Sequence, residues 1–125
     1  MTEPNTYSAF AKLYITTEAD ADNSDRAAVL GNGMAALLRG IAQEGSLNKA
    51  AKDMHMAYSK AWTLVNHTEE HFGITLIERN GARGSRLTED GQMLLKAFDA
   101  VNADLTAYAR KRVHEEMAKL AADRR

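Results

Sequence analysis

A chain of 125 residues, 45% hydrophobic and 26% charged, has the length and apolar content for one domain with a real core. It contains no cysteine, which excludes disulfide frameworks, thiolate zinc sites and cysteine nucleophiles together. No apolar run approaches the roughly 18 residues of a membrane span, and the N-terminus MTEPNTYSAF lacks the basic and apolar regions of a signal peptide. A cytoplasmic protein without a membrane partner is expected.

The net charge of −1 is not the strongly basic balance of a protein bound to nucleic acid through bulk charge. Its distribution says more. Residues 1–31 carry two Lys/Arg against five Asp/Glu, residues 32–86 seven against five, and residues 87–125 seven against seven. The small basic excess falls on the middle of the chain, so non-specific affinity for DNA should be modest and strongly salt-dependent.

In chain order, Ala9–Thr17 is rich in β-favouring residues and reads as a strand. The acidic stretch EADADNSD is a loop, and the short apolar run Ala27–Leu30 can pair back onto the first strand. A helix is expected from about Asn32 to Glu44, with Met34, Leu37, Leu38 and Ile41 on one buried stripe and Gly45 past its end. Ser46 caps a second helix, about Leu47–Met54, whose inward residues are Leu47, Ala50, Ala51 and Met54. The two alanines allow a close helix crossing. His55 and Met56 make a turn. A third helix follows, about Ala57–His71, with Ala61, Val65, Thr68 and Phe72 on its inner row and Gly73 as its stop.

Ile74–Arg79 reads as a strand, Asn80-Gly81 as a hairpin signal with a tip reaching Gly84, and Ser85–Leu87 as the returning strand. Thr88 caps a last helix, with Glu89 and Asp90 at its positive end, running to about Leu120. Met93, Leu94 and Phe98 are expected in the core. Val101, Leu105 and Tyr108 continue at heptad-like spacing and call for a partner surface. Two short helices at a tight turn, then a strand pair with a glycine-containing tip, make a winged helix-turn-helix, a device that sets one helix in a DNA groove. The expected fold class is therefore mainly α with a small β wing and a long C-terminal dimerisation helix. Its parts are an N-terminal strand and acidic loop (1–31), a winged DNA-binding unit (32–91) and a dimerisation helix (92–125).

The string GSLNKAAKDMHMAYSKAW, Gly45 to Trp62, resembles the N-terminal DNA-binding domain of molybdate-responsive transcriptional regulators, the ModE family. The shared elements are the GS before the second helix, the AA pair, Met56 with Tyr58 at the turn, and Ala61-Trp62. Gly73, Leu76 to Arg79, Leu87-Thr88 and Gly91 continue the match, which covers about Leu13 to Phe98. More distantly the pattern is similar to the winged helix of LysR-type regulators. The resemblance implies DNA binding and dimerisation. Three departures stand out. Ala57 replaces the usual serine cap, the wing tip Asn80–Ser85 is shorter and less glycine-rich, and the chain ends at Arg125. No molybdate-binding domain is expected in this chain.

Tyr58, Ser59, Lys60 and Thr63, at the start of the third helix and off its buried face, are the expected base readers. Asn48, Lys49 and Lys52 of the second helix are positioned for phosphate contact or form a solvated face. Arg79, Arg83 and Arg86 surround the wing. Arg83 is the preferred minor-groove or phosphate contact, Arg86 a second contact, and Arg79 can instead pair with Glu78 or a neighbouring carboxylate. Trp62 reads as packing rather than as a wall beside DNA. The basic run Arg110-Lys111-Arg112 either touches flanking phosphates or, the commoner case, is a solvated face with Glu115 and Glu116 close enough to pair. His67-Thr68-Glu69-Glu70-His71 matches an inverted zinc-protease motif, but a protease needs a third ligand and a cleft, and a motif without that context is weak. No catalytic residue, metal or cofactor is assigned. The expected partners are double-stranded DNA, as an inverted repeat, and a second copy of the chain. The alternative is a winged-helix protein-interaction module.

Overall fold

The structure, a computed structural model, describes residues 6–18, 30–81 and 84–123. Helix α1 (Asn32–Glu44) forms where the 3.6-residue spacing gathers Met34, Ala35, Leu37, Leu38 and Ile41 on one buried face. It ends in a left-handed Gly45, whose N–H donates to the Ile41 carbonyl. Helix α2 (Leu47–Asp53) starts at Ser46, whose Oγ accepts from the Lys49 N–H at 3.2 Å. Leu47, Ala50 and Ala51 are buried as expected, while Met54 lies past the helix end and only half-buried. The expected close crossing occurs, and its second half is Gly40. A Cβ built there would stand 3.0 Å from that of Ala50, so α1 and α2 meet glycine to alanine.

The turn between α2 and α3 (Tyr58–Phe72) passes through His55 at φ 55, a left-handed non-glycine residue. Helix α3 buries Ala61, Val65 and Thr68. Thr68 tolerates burial because its hydroxyl donates to the Leu64 carbonyl at 2.9 Å. The first strand of the wing is shorter than expected, β1 being Ile77–Arg79 rather than Ile74–Arg79. The partner strand runs out: by the Ile77–Leu87 register Thr75 and Ile74 would face residues 89 and 90, which begin the last helix, and the Glu69 carboxylate of α3 takes the Leu76 N–H at 2.7 Å and also accepts from the Ile77 N–H at 3.4 Å. Strand β2 (Ser85–Leu87) pairs antiparallel, Ile77 opposite Leu87 and Glu78 opposite Arg86. The tip closes through Asn80 N–H to the Gly84 carbonyl and Gly84 N–H to the Gly81 carbonyl.

Helix α4 (Glu89–Asp123) is 35 residues long, a few residues longer than expected. Thr88 caps it, accepting from the Gly91 N–H at 2.9 Å. Phe98 is buried and Leu94 packs against the core, but Met93 is 62% exposed and is not a core residue. It lies one position off the row that carries Leu94 and Phe98, a turn of about 100° on the helix. Arg39 reaches from α1 to Asp99 of α4 at 2.5 Å.

The expected strand at Ala9–Thr17 is a correction. Among the described residues it reduces to a single bridge, Ile15 with Leu30, closed by bonds of 2.9 and 2.7 Å. Leu30 thus does pair back, while Ala27–Val29 lie outside the described residues. The segment still alternates, Ala9, Ala11, Leu13 and Ile15 half-buried and Phe10 83% exposed. It runs toward α4, where Arg110 donates to the Ala9 carbonyl.

Candidate nucleic-acid interface

The starts of α2 and α3 and the wing converge on one side of the core. Every described residue expected to touch DNA is exposed: Asn48, Lys49 and Lys52 on α2, Tyr58, Ser59, Lys60 and Thr63 on α3, and Arg86 on β2. Arg83 lies outside the described residues. Helix α3 begins after Ala57, whose side chain supplies no capping bond to its first N–H groups. Thr63 Oγ1 donates back to the Ser59 carbonyl at 3.0 Å and keeps acceptor capacity for an outside donor. Among the described residues no carboxylate pairs with Lys49, Lys52 or Lys60, so these ammonium groups are available to phosphate.

The wing arginines sort differently from expectation. Strand alternation puts Glu78 opposite Arg86, and those two pair at 2.9 Å. Arg79 therefore points to the other face, where its guanidinium stacks 3.3 Å from the centroid of Trp62. Trp62 also meets the edge of Tyr58, ring centroids 6.2 Å apart at 89°. Trp62 is thus a packing residue, but one that packs on the wing and on the start of α3 together. A groove opens beside this cluster, lined in part by Ser46, Asn48, Tyr58, Arg79 and Ser85. Sequence reasoning missed the groove because Trp62 and Arg79 are 17 positions apart and meet only once the wing folds over α3.

The two histidines of the protease-like motif fall on the far half of α3, His67 exposed and His71 half-buried. Among the described residues no group of three or more His, Asp or Glu could hold a metal ion. Among the same residues no helix is long and apolar enough to cross a membrane.

Residues 34–92 match the family of bacterial regulatory helix-turn-helix proteins of the LysR type. That stretch is a LysR-type helix-turn-helix domain. Over 67 residues, 50% of this chain, the sequence is 36% identical to the DNA-binding transcriptional dual regulator ModE of Escherichia coli (strain K12), covering 26% of that protein. It is 34% identical over 67 residues, 54% of this chain, to a probable RuBisCO transcriptional regulator of Cyanophora paradoxa, covering 20% of it. The chain therefore spans about a quarter or less of the length of these curated relatives. Among solved structures, the DNA-binding domain of CbnR, crystallised with DNA, superposes with a TM-score of 0.51 at 23% identity, over 70% of this chain and 93% of that one. The LysR-type domain thus comprises most of α1, all of α2 and α3, the wing and the first turn of α4. The resemblance to ModE and the winged helix-turn-helix fold both hold.

Proposed function

We propose that this protein is a DNA-binding transcriptional regulator that reads duplex DNA as a homodimer in the cytoplasm. The observation that carries the reading is the LysR-type domain whose α3 start presents exposed Tyr58, Ser59, Lys60 and Thr63 beside a folded wing. Both curated relatives are named as transcriptional regulators rather than enzymes. In this reading residues 32–91 bind DNA and residues 92–125 dimerise. Lys60 and its neighbours contact base edges, while Asn48, Lys49, Lys52, Arg83 and Arg86 hold phosphates. The dimer would form through α4, where Val101 is 49% and Tyr108 62% exposed, with Leu105 half-buried between them. An apolar edge of this kind on a free helix favours association. Two-fold symmetry then sets the reading helices about one DNA turn, roughly 34 Å, apart and selects an inverted repeat.

The test is selection of genomic fragments on purified protein at low and near-physiological salt, with Lys60→Ala in parallel. One inverted-repeat motif, lost with Lys60→Ala while the melting temperature holds, is the expected result. Recovery of no DNA by a folded protein moves the reading to a protein-interaction module, which the near-neutral net charge of −1 favours.

A further inference from the structure

We infer that the groove between α2, α3 and the wing is a seat for one backbone phosphate of duplex DNA, with Arg79 as its cation and Trp62 as the residue that positions it. The inference rests on the DNA-binding reading above and adds a contact and a mechanism to it.

Arg79 differs from the other described arginines. Arg39 pairs with Asp99, Arg86 with Glu78, Arg112 with Glu115 and Glu116, and Arg110 donates to the Ala9 carbonyl. Among the described residues Arg79 has no carboxylate partner; it lies on the Trp62 ring. Stacking engages the face of the guanidinium and leaves its in-plane N–H groups free to donate. A planar fork held flat on an aromatic face suits the two oxygens of a phosphodiester.

The rest of the lining points the same way. Asn48, Tyr58 and Ser85, polar and uncharged, line the groove from three different elements. No described lining residue carries a carboxylate. A cation with neutral donors and no acidic neighbour favours an anion. The walls are also fixed before any ligand arrives. The Ser85 N–H donates to the Gly45 carbonyl at 3.0 Å, latching the wing to the α1–α2 corner. Gly84 sits so close to that carbonyl that a Cβ would collide with it. Glu69 holds the base of the wing through the N–H groups of Leu76 and Ile77. Arg79 therefore loses little freedom on binding, which keeps the contact from being spent on ordering a long side chain.

DNA is the source favoured over a free anion because the groove is bounded by the start of the reading helix and by the wing. A phosphate seated there fixes register without reading sequence.

The experiment measures duplex affinity across a salt series for the full chain and for Arg79→Ala, Arg79→Lys, Trp62→Phe and Trp62→Leu. Arg79→Ala should weaken specific and random duplexes alike, by about tenfold, and lower the slope of log affinity against log salt by about one. Arg79→Lys should recover the slope but only part of the affinity, because an ammonium cannot fork. Trp62→Phe should stay close to the parent and Trp62→Leu should fall toward Arg79→Ala, at melting temperatures that confirm folding. Emission of Trp62, the sole tryptophan, should shift on adding duplex and not on adding millimolar inorganic phosphate. Unchanged affinity and slope in a folded Arg79→Ala protein overturns the seat while the regulator reading stands. A saturable response to inorganic phosphate with duplex affinity unchanged gives the groove to a free anion and also overturns it. Failure of the parent protein to bind any duplex removes the regulator reading and the seat together.

Discussion

Helix α1 and helix α4 teach opposite lessons about what an amphipathic helix can do alone. Helix α1 buries five of its 13 residues, packs against α2 and α3, and is bounded by a glycine stop. Helix α4 has 35 residues and buries only Gly91 and Phe98, both in its first third. At 1.5 Å per residue it is about 50 Å long, so most of its length stands beyond the LysR-type domain that anchors it. The difference is tertiary. The stripe of α1 meets other elements of the same chain, whereas Val101, Tyr108 and Leu120 of α4 remain at the surface. Helices of that length owe most of their stability to packing, so the far half of α4 is where a partner would matter most.

That contrast can be broken from the α1 side first. Leu38 is fully buried, and Leu38→Ala should cost about 2 to 5 kcal/mol, read as a large fall in the denaturant midpoint. A loss below 1 kcal/mol would mean that α1 is not the centre of the core. The α4 side answers through association. In the proposed dimer, Val101→Asp with Tyr108→Asp should raise the dissociation constant by about a hundredfold or more, since each lost apolar contact counts twice across a two-fold axis. Light scattering across a dilution series reads this, and the winged head should stay folded. A dimer that survives the double change places the interface elsewhere.

A finer probe is Asn102, on α4 next to Val101. Its Oδ1 is buried and, among the described residues, has no hydrogen-bond partner. Asn102→Leu should therefore stabilise the protein by about 1 kcal/mol, seen as a higher melting temperature. A fall would mean that the oxygen is satisfied across a dimer. The smallest effect is expected at the tip. Glu116 is held below the usual carboxylate range by its hydrogen bond to Lys119, then by the charges of Lys119 and Arg112. A depressed carboxylate stabilises above its unfolded pKa, and that contribution is lost as pH falls through the folded value. Acid should fray the last turns of α4 slightly, visible by far-UV circular dichroism and reproduced by Glu116→Gln at neutral pH. The group is exposed and lies near the far end of α4, so the head should not respond.

Much of the head was legible because its signals are local. Ser46, Gly45 and Gly73 mark helix ends through their own backbone and capping chemistry, and the Leu37-Leu38-Ile41 spacing names a face without reference to a partner. The candidate base readers were legible for the same reason: they are what remains of α3 once Ala61, Val65 and Thr68 turn inward. Two of the misses involve distant partners. Ala9–Thr17 has strand-like residues, yet a strand needs a neighbour along its length, and among the described residues only Leu30 supplies one. Arg79 had Glu78 beside it in sequence, but alternation sent the two to opposite faces and gave Glu78 to Arg86.

The sequence by itself determined the order of helices, the wing and the exposed start of α3, because periodicity, caps and turn residues act over a few positions. The tertiary structure alone decided that Trp62 receives Arg79 and that the wing latches onto Gly45. Those outcomes depend on how whole elements cross, and crossing is set by packing volumes such as Gly40 against Ala50 rather than by any local preference.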